Sequence, residues 1–319
     1  MISILIPVYN FDIRLLVNDL YQQLTGTGIP FEIICYDDGS SEIFKQLNRQ
    51  LLSPSLHSPI PLFPYSPLSS HSPILPSSHP PILYHELPQN LGRARIRNAL
   101  AKAAKYPYLL FMDCDSKVVS PNYIKYYINH LQPDVLLYGG RSYDPAPPEQ
   151  TALRFHWHYG TQREQIPAAV RQQHPYHAFM TNNFLIPKAI FEEIQFDERL
   201  TQYGHEDTLF GLELQQRQIK ILHLDNPLEH IGLEDQSVFL QKTKQGIQNL
   251  AFLAKEHPHL ETRLLKTHRK LQKIGLIGII KRILQTMQPF ILQQLKAENP
   301  NFGWFDLYKL QLLIEAMKA

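Results

Sequence analysis

Apolar positions along the chain switch repeatedly between two spacings. Residues 3–9 form a nearly continuous apolar run that closes in Pro7-Val8-Tyr9-Asn10, which predicts a strand ending in a turn. Ile13, Leu16, Val17, Leu20, Tyr21 and Leu24 then recur at helical spacing and define one apolar face. Phe31-Glu32-Ile33-Ile34-Cys35-Tyr36 predicts a second strand, stopped by Asp37-Asp38-Gly39-Ser40-Ser41. Strand, helix and strand in this order form a βαβ unit, which requires parallel pairing.

The alternation resumes at Ile82-Leu83-Tyr84-His85, a short strand. Asn90-Leu91-Gly92 leads into a helix from Arg93 to Lys105, followed by a strand from Tyr108 to Asp115. A helix is expected from Pro121 to Leu131, with Ser120 as N-cap and Pro121 at N1, and then a strand from Asp134 to Tyr138. Residues 142–181 are rich in Pro, His and aromatics, with weak periodicity. Phe184-Leu185-Ile186-Pro187 predicts another strand, Tyr203-Gly204-His205-Glu206-Asp207 precedes a helix, and residues 219–223 and 228–230 read as short strands. Everything after Leu233 reads as helical. Strands alternating with helices predict an α/β domain, doubly wound around a mostly parallel sheet, over 1–235, with a helical C-terminal extension over 236–319.

One stretch breaks the pattern. Residues 53–81 consist mainly of Pro and Ser and contain no Asp, Glu, Lys or Arg. Prolines at this density forbid a helix or a central strand. The segment is expected to be a disordered surface insertion, since it carries too little apolar surface to offset the entropy of ordering.

Composition narrows the class. Hydrophobic residues at 44% and charged residues at 19% describe a globular protein, and a net charge of +2 argues against a nucleic-acid partner. Cys35 and Cys114 both fall in apolar strands, as expected of reduced core residues in a cytoplasmic protein. Met1 to Ile6 is apolar but short and lacks a basic leader, so it reads as the first strand and not as a signal peptide. In the C-terminal extension, Leu271, Ile274, Ile277 (with Leu276 beside it) and Ile280 or Leu284 form an apolar stripe beside Lys270, Lys273, Lys281 and Arg282. Such a helix either packs on the domain or lies at the inner face of an anionic membrane as a peripheral contact.

The candidate chemistry sits where apolar runs end in acid. Tyr108-Leu109-Leu110-Phe111-Met112 breaks into Asp113-Cys114-Asp115, two carboxylates separated by one residue. A pair of this kind can share a hard divalent cation, Mn²⁺ or Mg²⁺, as phosphate-bearing substrates require; alone, it can equally be a helix cap beside a solvated Asp. No G-x-G-x-x-G follows the first strand and no G-x-x-x-x-G-K-[ST] occurs. Clustered carboxylates without a glycine-rich cradle point to a cation as the group that neutralises phosphate.

Five motifs then resemble one family. They are Ile6-Pro7-Val8-Tyr9-Asn10, Tyr36-Asp37-Asp38-Gly39-Ser40, Asn90-Leu91-Gly92 with Ala94 and Arg97-Asn98, Asp113-Cys114-Asp115, and Gly204-His205-Glu206-Asp207. In this order, over residues 1–235, they are similar to the inverting glycosyltransferases of family 2, which have the GT-A fold. Each motif is weak by itself. The resemblance implies a metal-dependent enzyme taking a nucleotide-sugar donor, a UDP-sugar first among them, to a glycan or lipid-linked acceptor, as in polysaccharide synthesis. It implies that Asp38 or Asp37 accepts the N–H of the base, that Pro7, Val8 and Tyr9 line the base pocket, and that Arg97 lies near the base or diphosphate. It implies further that Asp115 binds the metal while Asp113 meets metal, ribose or sugar, and that His230 completes the metal site. Asp207 would be the catalytic base, with Glu206 holding the acceptor or Asp207. The helix dipole would keep Asp207 ionised without a strongly raised pKa. A sugar-nucleotide pyrophosphorylase and a catalytically weak nucleotide-sugar-binding scaffold are the alternatives. The resemblance implies nothing about residues 53–81 or the C-terminal extension.

Overall fold

The computed structural model describes residues 1–52, 81–200, 204–297 and 299–317. Almost the whole of the expected insertion therefore lies outside the described residues. The first half contains β1 (Ile2–Val8), α1 (Arg14–Thr25), β2 (Phe31–Asp37), α2 (Glu42–Arg49), β3 (Ile82–Glu86), α3 (Arg93–Ala103), β4 (Tyr108–Met112), β5 (Ser116–Val118), α4 (Tyr123–Asn129) and β6 (Val135–Tyr138). It continues with β7 (Arg141–Ser142), α5 (Arg154–Arg163), α6 (Ala168–Arg171), β8 (Asn183–Pro187), α7 (Lys188–Ile194), α8 (Glu206–Gln216), β9 (Lys220–His223) and β10 (Leu228–His230). Four helices close the chain: α9 (Gln236–Glu256), α10 (Arg263–Lys273), α11 (Ile277–Leu295) and α12 (Phe302–Ala316).

Seven strands form the central sheet in the order β3-β2-β1-β4-β8-β6-β9. All neighbours pair in parallel except β8, which runs antiparallel to both β4 and β6. This is the doubly wound, mostly parallel α/β architecture expected from the sequence, with the helical C-terminal extension. Strands buried on both faces explain the near-continuous apolar runs, because each face must be covered by helices. One face packs on α1 and α4, and the other on α3, α7 and α8. On the second face Phe210 of α8 stacks on Phe196 at 4.5 Å between ring centroids, and Phe111 of β4 stacks on Phe184 at 4.8 Å. Aromatic pairs of this kind add about 0.5–1.5 kcal/mol each beyond their buried area, so α8 is anchored to the sheet by its middle.

The chain leaves β1 to build β2 and β3 on one side, then crosses to β4 on the other. The order therefore reverses between β1 and β4, and a ligand crevice opens beyond their carboxyl ends. A second sheet of three short strands, β5-β10-β7, lies beyond this point.

Several expected boundaries move by one to three residues, two of them on either side of β5. The strand expected to reach Asp115 stops at Met112, which leaves Asp113 to Asp115 in the turn before β5. The helix expected from Pro121 starts at Tyr123, because Ser120 and Pro121 form a preceding turn in which the Ser120 carbonyl accepts from the Tyr123 N–H.

The extension shares a core with the α/β part. Phe155, Leu200 and Leu209 pack with Ile247, Leu250, Leu313 and their neighbours from α9 to α12. Of the two readings of the apolar stripe, packing on the domain accounts for most of it. Leu271, Ile277 and Ile280 pack on this cluster and Leu284 is buried in it; Ile274 alone is left outward. Helix packing claims that face, as an amphipathic stripe in a bundle requires.

Candidate active site

The loops at the switch point are tied together by polar side chains. Asp37 is fully buried; its Oδ1 accepts from the Ser40 N–H at 2.7 Å and its Oδ2 from the Tyr84 hydroxyl at 2.7 Å. Asp38 spans to the loop before α3, its two oxygens accepting from the backbone N–H groups of Leu91 (2.6 Å) and Gly92 (3.1 Å). Burial pushes the Asp38 carboxyl up, and those two N–H groups oppose the rise. Asn10 joins the β1 end to the β2 end: its N–H donates to Ser40 Oγ and its side-chain oxygen accepts from the Ser41 N–H.

Several of the residues expected at the donor are engaged inside the protein. Asp37 spends both oxygens on its own turn and on Tyr84, and Asp38 spends both on the Leu91–Gly92 backbone, so each is engaged in shaping the loops. Val8 is completely buried in the core, because β1 alternates and Val8 points inward, leaving Pro7 and the half-exposed Tyr9 at the rim. Arg97 is only 2% exposed and is enclosed by the Phe196 ring and Asp113, with its Nη2 2.7 Å from Asp113 Oδ1. Helix α3 thus sets this guanidinium against the Asp113 carboxylate.

Asp113 is held from two sides, by Arg97 and by Arg141, whose Nη2 lies 3.4 Å from Asp113 Oδ2. Arg141 in turn pairs with Glu164 at 3.0 Å, and Tyr143 donates its hydroxyl to the same carboxylate. Burial opposes the Arg141 charge, but Glu164, Asp113 and Asp115 around it hold it firmly protonated. Paired in this way, Asp113 is an oriented carboxylate whose oxygens are already engaged. Sequence reasoning missed Arg141, Tyr143 and Glu164. They lie where periodicity is weak, and no motif marks them.

Asp115 is in a different condition. His230 Nδ1 stands 3.4 Å from Asp115 Oδ1, without the alignment of a hydrogen bond. Asp115 Oδ1, His230 Nδ1 and His230 Nε2 are all buried without a hydrogen-bond partner. Burial would raise the Asp115 carboxyl, yet nearby His230, Arg141 and Arg93 bring it well below the usual carboxylate range. Gly232 closes the cradle: a Cβ there would come within 2.5 Å of Asp115 Oδ2. Orphaned polar atoms in a buried pocket require an explanation, and a carboxylate facing an imidazole has the chemistry of a divalent-cation site. Among the described residues no three His, Cys, Asp or Glu side chains form a complete cage. A cation here would complete its shell with ligand and water oxygens, as Mg²⁺ sites for phosphate do.

His156 stands behind His230, with ring centroids 5.2 Å apart, and its Nδ1 accepts from the Glu234 N–H. Burial pushes His156 down to about 3 and keeps it neutral.

The last motif opens α8. Gly204 (φ +100°) and His205 (φ +69°) both take left-handed backbone, which bends the chain so that Glu206 and Asp207 occupy the first helical turn. Gly204 is pressed against α9: a Cβ on it would lie 3.0 Å from the Gly246 Cα, and Asn249 donates to its carbonyl. The extension thus holds the loop that carries the acidic pair. Glu206 is buried, with Oε1 3.6 Å from the Arg93 guanidinium and Oε2 unpartnered. Burial pushes the Asp207 carboxyl up to about 6, with Glu206 adding repulsion and the Thr208 N–H opposing. That corrects the expectation of an unraised Asp207: the field of a helix end is worth about 0.3–1 kcal/mol, and burial outweighs it here.

Asp113, Glu206 and Asp207 line one cavity of about 700 Å³. Its far wall comes from the extension, through Phe239 of α9, Arg263 and Thr267 of α10, and Phe305 and Lys309 of α12. A larger cavity, about 810 Å³, lies between α1 and the turn before α4 and touches none of the motif carboxylates.

The model for glycosyl transferase family 2 matches residues 3–195. The chain belongs to that family. No curated protein sequence matches it. Among solved structures, the mannosyltransferase PcManGT from Pyrobaculum calidifontis, in complex with GDP-Man and Mn²⁺, superposes with a TM-score of 0.56 at 11% identity. That match covers 99% of this chain and 85% of the other. Glucosyl-3-phosphoglycerate synthase from Mycobacterium tuberculosis, in complex with Mg²⁺ and uridine diphosphate, superposes with a TM-score of 0.50 at 12% identity, covering 80% and 78%. These likenesses show the fold. In this family 2 transferase Asp113, Glu206 and Asp207 line one cavity, and helices of the extension wall it.

Proposed function

We propose that this family 2 enzyme transfers a sugar from a nucleotide-sugar donor, a UDP-sugar first among them, to a hydroxyl acceptor with inversion at the anomeric carbon. The observation that carries the reading is the presence of Asp113, Glu206 and Asp207 on one cavity. Asp207 takes the proton from the acceptor hydroxyl as its oxygen attacks, and a carboxyl near 6 is ionised at neutral pH yet basic enough to accept that proton. Glu206, with one oxygen free, orients the acceptor hydroxyl. The half-exposed Tyr9, with the loop that Asp38 ties to Leu91 and Gly92, forms the rim on which the base rests. Asp113, fixed by Arg97 and Arg141, presents its remaining lone pairs to the ribose or sugar. Asp115 and His230 hold Mn²⁺ or Mg²⁺, and the bound cation supplies charge neutralisation for the departing nucleoside diphosphate. The cellular setting that fits is glycan or surface polysaccharide synthesis on the cytoplasmic side.

A screen of UDP-, GDP- and dTDP-sugars with Mn²⁺ or Mg²⁺, reading released nucleoside diphosphate, tests the proposal. Release from a UDP-sugar that needs the cation is the expected result; no release from any donor would overturn it. A milder change probes the cation site alone. Gly232→Ala places a Cβ against the Asp115 carboxylate and must displace it. Calorimetric titration of uridine diphosphate should then show a weakened Mn²⁺-dependent component, while affinity without Mn²⁺ is kept.

A further inference from the structure

Residues 262–297 contain eight Lys and Arg and no Asp or Glu. This stretch builds α10, a tight turn and α11, and its tip stands away from the rest of the molecule. Gly275 makes the turn at φ +73°, and a Cβ on Gly275 or Gly278 would meet nothing within 4 Å. Ile274, Ile279 and Ile283 are 55%, 57% and 47% exposed, and Leu276 is 38% exposed. These side chains are not the stripe that packs inward. Along α11 the inner row is Ile277, Ile280 and Leu284. The outer row, Leu276, Ile279 and Ile283, sits one residue earlier, about 100° round the helix at 3.6 residues per turn. Lys270, Lys273 and Arg282 are exposed beside it, and none makes an ion pair among the described residues.

We infer that this tip docks on an anionic lipid bilayer, with the four aliphatic side chains entering the headgroup boundary and the cations meeting lipid phosphates. Clustered aliphatic side chains at a projecting turn, ringed by unpaired positive charge, match an interfacial segment. A second copy of the chain fits poorly, because a two-fold contact would set these cations against themselves. No described helix is long and apolar enough to cross a membrane, so the contact is superficial. The same α10 that ends at the tip lines the catalytic cavity through Arg263 and Thr267. Thr267 to Ile274 is seven residues of helix, about 10 Å at 1.5 Å per residue. Docking would therefore bring the cavity to acceptors carried on lipid, a consequence that rests on the proposed transferase reading.

Flotation of the full chain with vesicles of phosphatidylcholine, alone or mixed with phosphatidylglycerol, tests the docking without donor or acceptor. The parent should float with the mixed vesicles only. Each basic side chain near an anionic surface contributes a factor of about five, so Lys273→Ala/Arg282→Ala should lower partitioning about 25-fold. Ile279→Glu/Ile283→Glu should abolish it, with circular dichroism and uridine diphosphate affinity unchanged because these side chains are exposed and do not line the cavity. Equal binding to both vesicles, parental binding by the Glu variant, or a tip-dependent dimer in sedimentation velocity would overturn the inference. Loss of nucleotide affinity in the parent would instead count against the transferase reading and leave the docking result intact.

Discussion

Asp207→Asn should slow sugar transfer by about 10²–10⁴ while leaving uridine diphosphate and Mn²⁺ affinities at parental values. The side chain lies at the start of α8 on the cavity wall, apart from the Asp115–His230 pair, so its loss removes an interaction used in the transition state and spares donor binding. Its protonation adds a second signature. Burial and the neighbouring Glu206 and Glu164 raise the carboxyl to about 6, against the Thr208 N–H and hydroxyl, which favour the charged form. Only the ionised form accepts a proton, so parental transfer should fall as pH drops through about 6 and reach a plateau above it. The residual rate of Asp207→Asn should lack that step. Glu206→Gln should lower acceptor affinity more than donor affinity. Near-parental transfer by Asp207→Asn would move the base to Glu206.

The second large effect is expected at Asp115. Asp115→Asn should remove the Mn²⁺-dependent part of uridine diphosphate binding, a loss of about 10²-fold or more, since even outer-shell partners of a metal cost 10–100-fold. The fold should survive, because Asp115 Oδ1 makes no hydrogen bond and lies against a histidine and a glycine, not inside the apolar core. The neighbouring His230, Arg141 and Arg93 outweigh the desolvation of the Asp115 carboxylate, so its charge contributes stability and the metal-free variant should keep its fold but melt below the parental temperature. Calorimetry with and without Mn²⁺, beside thermal unfolding, checks both halves. A parental Mn²⁺ effect would overturn the assignment of the cation to Asp115 and His230.

The amino-acid sequence by itself determined the layered α/β fold, since buried parallel strands need uninterrupted apolar runs and their covering helices need one apolar face. Every strand expected from those runs is present, and Asp113, Glu206 and Asp207, far apart in the chain, line one cavity. Periodicity says nothing about which way a polar side chain is spent. Asp37 and Asp38 are neighbours, yet one is consumed by Ser40 and Tyr84 and the other binds the Leu91 loop. Arg97 looked like a donor contact and is an internal partner of Asp113. The Arg141, Tyr143 and Glu164 chain came from a stretch with no pattern, because a network of polar contacts has no period. Tertiary packing also decided the C-terminal helices. α11 is apolar on more than one side, and only the bundle around it shows that Ile277, Ile280 and Leu284 go inward while Ile279 and Ile283 remain in solvent. Local sequence sets which helix forms and which faces are apolar; the partners that occupy those faces lie far away in the chain, and only the folded molecule brings them together.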